Sequence, residues 1–357
     1  MYINKKNIDF NISQKVGKDV EGRTIRMRID KLTLVSNVES HYENNLIYEK
    51  LDYLSSRKYK KYRIQSIRGI NGKPYRKAII IRKKIKPSPL ILRIDYFPIN
   101  HKTGSIRLEF HPQHLTPKNI DHLVSWLNKK LDNKLNALLL ESWITQIDTA
   151  VDIYGAQLED YIFGLKNSET AKYFDKKYGL PGLRLGSIRS QLHIHCYEKI
   201  DGYRNEIISS MKRTSLMNIH PNDCDKFLRI ESRFRPKKNI SSQDNRILLK
   251  NILQIDNPFT RLSVFDRKIA LILYKKGFIR SYPCNPSLIE LKSCIKSTEK
   301  ISRLTQKHLH LVSKSEISLF DINMVWKSWP KCVSRLGNAF EKIIKNLHHE
   351  KNQSLIR

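Results

Sequence analysis

Four segments of this sequence carry side chains that could grip phosphate, hold a cation or attack phosphorus. Each alternates polar and apolar residues with period 2, so in an extended strand one set shares one face. In 105–111 the polar set is Arg107, Glu109 and His111. In 146–154 it is Gln146, Asp148, Ala150, Asp152 and Tyr154. In 191–199 it is Gln191, His193, His195, Tyr197 and Lys199, and in 228–235 it is Arg229, Glu231, Arg233 and Arg235. Carboxylates and imidazoles can bind a divalent cation, which polarises a phosphodiester as a Lewis acid. Arginines clamp phosphate oxygens two at a time. A tyrosine hydroxyl, with an ordinary pKa of about 10, becomes a usable nucleophile when a neighbouring base or metal favours its phenolate. An ordinary sheet with one wet face shows the same alternation. Asp148 and Asp152 could also simply pair with Arg229 or Arg233 across such a sheet.

The elements that must position these residues can be read around them. From about 24 to 111 the chain reads mainly as strands, with alternating stretches in 24–37 and further runs at 76–86, 89–97 and 105–111. Thr116 followed by Pro117 predicts a helix start. That helix runs to about 133, with Ile120, Leu123, Val124 and Leu127 as its apolar face. A strand over 142–155 and a short helix over 157–165 follow. Residues 183–187 and 190–199 form a hairpin, and a polar helix leads to a strand over 226–235. Beyond about 240 the sequence reads as helices, at 244–254, 261–276, 286–297, 300–313 and 334–349. The expected organisation is a flexible arm over 1–22, an α+β domain over 23–240 with a central antiparallel or mixed sheet, and a basic helical module over 241–357.

Charge narrows the partner. The chain of 357 residues has 66 Lys plus Arg against 34 Asp plus Glu, a net charge of +32. Its hydrophobic fraction of 40% is enough for a packed core. Nucleic acid is the expected partner, because each cation placed on a phosphate releases counterions. A membrane surface is disfavoured: no apolar run reaches the roughly 18 residues of a span, and the basic residues are spread over the whole chain. The opening MYINKKNIDF lacks the apolar core of a secretion signal. The five cysteines, Cys196, Cys224, Cys284, Cys294 and Cys332, form no CxxC pair. A reduced, cytoplasmic protein without structural zinc is expected. In 57–68, Tyr59 and Tyr62 interleave with basic residues, a pattern for stacking on single-stranded DNA or for a solvated charge run.

The run GLRLGSIRSQLHIHCYEK (182–199) resembles the Rep_trans family of rolling-circle replication initiators. The resemblance rests on Gly186, Ser187, Arg189, Ser190, Tyr197, Glu198 and Lys199. The segments 144–155, 228–235 and 106–116 are similar to the family's aspartate strand, its arginine-x-glutamate strand and an upstream element, in the same order. About a third of the chain is covered. The resemblance implies a fold related to the HUH endonucleases, with Tyr197 as the nucleophile that becomes linked to the 5′ phosphate at a nick. The freed 3′-OH then primes synthesis. It implies a divalent metal, Mg²⁺ or Mn²⁺, on Asp148, Glu231 and Glu109, with Asp152 next. Arg229, Arg233, Arg189, Lys199, His195, His193 and Arg107 are the expected phosphate and DNA contacts. The implied partners are origin DNA, duplex with a single-stranded nick region, and a host helicase and polymerase. The C-terminal module suits DNA binding or a homodimer.

Two positions depart from the family. His195 stands where members have arginine two residues before the tyrosine, and Gln146 where they have arginine two before the aspartate. Both remove a phosphate-contacting cation, which leaves open a DNA-binding protein on the same fold without catalysis. A relaxase or phage initiator would share the chemistry. His193 and His195 spell the two-histidine motif of HUH nucleases, but immediately before the tyrosine, where that motif does not belong. They are kept as metal or phosphate contacts only.

Overall fold

The computed structural model describes residues 13–38, 40–68, 74–84, 88–100, 103–174, 181–198, 227–236, 246–295 and 303–345. Their organising element is a large antiparallel sheet. In chain order its strands are β1 (Gln14–Lys18), β2 (Thr24–Ser36), β3 (Tyr62–Arg68), β4 (Tyr75–Lys83), β5 (Leu90–Pro98), β6 (Ile106–Phe110), β7 (Trp143–Tyr154), β9 (Ala171–Phe174), β10 (Gly182–Leu185), β11 (Leu192–Glu198) and β12 (Phe227–Phe234). The spatial order is β3-β4-β5-β6-β2-β7-β12-β11-β10-β9, with β1 paired to β2. A separate two-stranded ribbon joins β8 (Tyr161–Leu165) to β13 (Leu262–Asp266).

The period-2 pattern decides which face is which. Ile147, Val151 and Ile153 of β7, Ile194 and Cys196 of β11, and Leu228 and Ile230 of β12 all turn into one core. Helices close that core: α1 (His41–Ser56), α2 (Pro117–Lys130), α3 (Lys134–Leu140), α7 (Ile322–Lys327) and α8 (Trp329–Ser334). Helix α2 starts as its sequence predicts, with Thr116 Oγ1 accepting from the Asn119 amide and Pro117 in the first turn. The predicted face of Ile120, Leu123, Val124 and Leu127 is buried. Beside the ribbon, α4 (Lys268–Lys275), α5 (Leu288–Cys294) and α6 (Arg303–Lys314) surround a second, smaller core that includes Phe265, Leu273 and Leu291. No helix among the described residues is long and apolar enough to cross a membrane. Cys196, Cys284, Cys294 and Cys332 are free thiols.

Several expectations change. The arm expected over 1–22 is strand β1 from Gln14, held because Arg26 donates through Nε to Ser13 Oγ at 2.7 Å. The helix expected over 157–165 is one 3₁₀ turn, Leu158–Asp160, followed by β8. The aromatic and aliphatic run YIFGL is buried throughout and pairs with a strand about a hundred residues away in sequence, which local periodicity cannot show. The helix expected over 261–276 therefore splits into β13 and α4. The boundary near 240 and the polar helix after 199 lie outside the described residues. The chain beyond them does not stand apart: Ile144 N donates to Ile247 O at 2.8 Å, and Trp329 Nε1 donates to Ile252 O at 3.0 Å. Tyr62 is buried between Trp126 and His122, and Tyr59 packs edge-on against Trp126. Neither ring forms a free stacking platform.

Candidate active site

The opposite face of the sheet gathers the polar sets into rows, because antiparallel pairing places residues of equal parity side by side. One row runs Tyr197, Arg229, Asp152, Arg26 across β11, β12, β7 and β2. The next runs His195, Glu231, Ala150, Arg28. A third runs His193, Arg233, Asp148, Lys31.

Tyr197 and Glu231 meet on the diagonal between the first two rows. The tyrosine Oη donates to Glu231 Oε2 at 2.7 Å. Burial, followed by the charge of Glu231, pushes the phenol well above its ordinary pKa, so the hydroxyl is protonated at rest. Burial also raises Glu231, to about 7, with Asp30 and Asp148 as the next causes. A carboxylate that is half-ionised near neutrality, hydrogen-bonded to a protonated phenol, is placed to take its proton.

Beside this pair lies a buried ionic block. Arg229 donates through Nε to Asp152 Oδ1 at 2.6 Å and through Nη2 to Oδ2 at 2.9 Å, while its Nη1 reaches Asp30 Oδ1 at 2.9 Å. Arg28 Nη2 also reaches Asp152, at 2.9 Å. Asp152 is wholly buried and Arg229 almost so. Arg229 therefore neutralises carboxylates, and the ion-pair alternative describes Asp152.

Asp148 is likewise fully buried. It accepts from Arg233 Nε at 2.9 Å and from Gln146 Nε2 at 2.9 Å, with Lys31 Nζ at 4.0 Å. Burial raises its pKa against the pull of Arg233 and Lys31. Gln146, where the family has arginine, also accepts from Arg235 Nε at 3.2 Å, so it links a carboxylate to a neighbouring guanidinium. Lys31 Nζ stands 3.9 Å from Glu109. Glu109 lies farther along the sheet with Arg107, which also binds Asp95. Burial opposes the Glu109 charge, but His111, Lys31 and Arg107 hold its carboxyl well below the usual range.

His193 and His195 sit side by side, ring centres 5.2 Å apart. Burial, then the neighbouring His195 and Arg233, lowers His193 to about 3. Burial, then Arg233 and Arg184, lowers His195 to about 4. Both rings are neutral at physiological pH and add no positive charge to a phosphate grip. Arg189 is exposed in the turn between β10 and β11. Lys199 lies outside the described residues.

The four carboxylates expected to hold a metal do not assemble. Asp152 belongs to Arg229, Glu109 belongs to Arg107, and Asp148 belongs to Arg233. Among the described residues no three His, Cys, Asp or Glu side chains come together as a cation requires. As placed, this set does not fit a divalent ion.

Strand β2 supplies what sequence reading missed. Its pairing with β7 shifts between Ile29 and Lys31, a bulge that leaves Asp30 as the extra residue. Asp30 and Lys31 thereby both join Arg26 and Arg28 on the polar face. The signal is present: the apolar phase runs Ile25, Met27, Ile29 and then switches to Leu32, Leu34.

No protein-family model matches the chain, and no curated protein matches it. Among solved structures it is similar to a rolling circle replication initiator protein from Geobacillus stearothermophilus, with 16% identity over 59% of this chain and 74% of that one, at a TM-score of 0.31.

Proposed function

We propose that this chain opens one strand of DNA by attack of Tyr197 on a phosphodiester, as an initiator of rolling-circle replication. The observation that carries the reading is the 2.7 Å hydrogen bond from the Tyr197 hydroxyl to Glu231. In the step, the phenolic proton passes to Glu231 Oε2 while a bond forms from Tyr197 Oη to phosphorus. The bond from phosphorus to the 3′ oxygen breaks, and that oxygen takes a proton from solvent. The products are a 5′-phosphotyrosine link and a free 3′-OH. The link keeps the phosphodiester energy, so the reverse attack reseals the strand without ATP. Arg233 lies two rows from the tyrosine with a quarter of its side chain exposed, and offers its guanidinium to the phosphate.

Origin DNA is the substrate in this reading, and a host helicase and polymerase use the 3′ end. Mg²⁺ or Mn²⁺ stays a variable of the assay, with no step assigned to it. The test is adduct formation on a supercoiled plasmid carrying the cognate origin, with Mg²⁺, Mn²⁺ or chelator. Wild type should give a covalent protein–DNA adduct and Tyr197→Phe none. An adduct of undiminished yield in Tyr197→Phe would overturn the assignment. The carboxylates paired to arginine and the neutral His195 favour a second reading, a DNA-binding protein on this fold without catalysis. Absence of adduct under all three conditions, with DNA binding retained, supports that one.

A further inference from the structure

Helix α4 turns Ile269, Ala270 and Leu273 into the second core. Its other side is not the polar surface that a solvated helix shows. Leu271, Ile272 and Tyr274 are each at least 43% exposed, and Tyr282 just beyond the helix is exposed as well. The Tyr282 ring stands edge-on to Tyr274 with centres 6.3 Å apart, and the Arg267 guanidinium lies 5.6 Å from its centre. A contiguous apolar patch of this kind marks an interaction site.

The lysines of this helix stand among the apolar residues, not opposite them. Lys268 and Lys275 each lie three or four residues from both Leu271 and Ile272, so all four share one side of the helix. Lys276 follows at the helix end. Lys275 and Lys276 make no ion pair among the described residues, and Lys268 approaches Asp266 only to 3.9 Å. Beside the helix opens a cleft of about 620 Å³, with Val20, Leu271, Tyr282 and Ile317 in its lining. Within it Arg23 is taken by Glu21 at 3.0 Å, so the apolar side chains are what the cleft offers a visitor.

We propose that this face of α4 docks an acidic, amphipathic helix of a partner protein. Its apolar side chains cover Leu271, Ile272 and Tyr274, and its carboxylates reach Lys275 and Lys276. Three other occupants match less of the face. A second copy would bring the same lysines, against a net charge of +32 on each chain. The phosphates of DNA would meet the lysines but give Leu271 and Ile272 nothing to bury against. A helix lying on a lipid surface keeps its cations on the polar face. Here Lys268 and Lys275 stand between Leu271 and Ile272, where the acyl boundary would press on them. A protein face that interleaves apolar and acidic residues satisfies both sets at once.

The test is fluorescence anisotropy with the full chain and a labelled synthetic peptide that interleaves leucine and glutamate on one helical face. The peptide should bind, and one with serine in place of each leucine should bind about tenfold more weakly. Leu271→Gln/Ile272→Gln should weaken the leucine peptide about tenfold. Tm should not change, since both side chains are exposed and glutamine suits a helix. Leu253→Gln, at an exposed leucine in the 3₁₀ turn Leu249–Gln254, should leave peptide affinity unchanged. Lys275→Glu/Lys276→Glu should also weaken the peptide, and it decides alone if the first variant does not fold. Labelled duplex DNA and phosphatidylserine vesicles are the competing probes. Four results would overturn the inference: equal binding of the serine peptide, undiminished affinity in either folded double variant, an equal loss in Leu253→Gln, or a loss in the leucine variant that falls on duplex or vesicles instead. None of these readouts depends on whether Tyr197 cuts.

Discussion

Tyr197 faces Arg229 directly across β11 and β12, yet its hydroxyl bonds diagonally to Glu231. Arg229 cannot accept the phenolic proton, because a guanidinium has donors only, and it gives Nε and Nη2 to Asp152. One strand thus carries two groups with different work. Arg229 balances buried charge, and Glu231 two residues on serves the tyrosine.

If Tyr197 attacks DNA as proposed, Glu231→Gln should slow nicking by about 10²- to 10⁴-fold, the usual contribution of a positioned base. Glutamine keeps the shape and a hydrogen-bond acceptor, so origin binding should be unchanged. Single-turnover adduct formation beside a binding isotherm checks this. A rate within a few-fold of wild type would remove Glu231 from the step.

The pH dependence has a defined sign. In the proposed step Glu231 must be ionised to accept the proton, so on that reading the nicking rate should rise with pH through about 7. Stability should run the other way. The folded pKa lies above the carboxyl's ordinary 4.5, so the folded state holds the proton more tightly. The contribution is complete below about 4.5 and is lost as pH rises through about 7. In Glu231→Gln both dependences should flatten, as read by rate profiles and urea unfolding at a series of pH values.

The histidines predict an acid limb. His193 and His195 are held neutral, at about 3 and about 4, below the ordinary 6.5. Unfolding lets them take protons, so their contribution to stability is present above about 6.5 and is lost as pH falls towards 4. The double variant His193→Gln/His195→Gln should lose less stability than wild type between about pH 7 and about pH 5. An identical loss in the two proteins counts against neutral, buried imidazoles.

Arg229→Ala should destabilise the fold by about 3–5 kcal/mol, because it leaves Asp152 and Asp30 buried without their main cation. Adding Asp152→Ala should recover part of the loss, the sign of coupled neighbours. Arg189→Ala, in an exposed turn, should change stability by no more than about 0.5 kcal/mol. Chemical denaturation of the three variants separates a structural arginine from a surface one.

Much of the framework was legible by residue pattern. Alternation placed β6, β7, β11 and β12 and assigned each polar side chain to a face, because side-chain direction in a strand depends only on parity. The Thr116-Pro117 pair marked the start of α2 for the equally local reason that a cap acts within one turn. Relations between strands were not legible in this way. Which residue stands opposite Tyr197, and which carboxylate reaches it on the diagonal, depends on register, and register is a property of two strands. The bulge at Asp30 shifts β2 by one residue and brings Asp30 and Lys31 into a site that even alternation would have divided between two faces. β8 and β13 each satisfy a helical or an extended reading until they find one another. The sequence by itself determined the inventory of the site: a tyrosine, carboxylates, arginines and two histidines on strand faces. Only the tertiary structure decided the pairing, committing Asp152 to Arg229 and Glu231 to Tyr197, because burial forces each charged group to take the partner that the neighbouring strand presents.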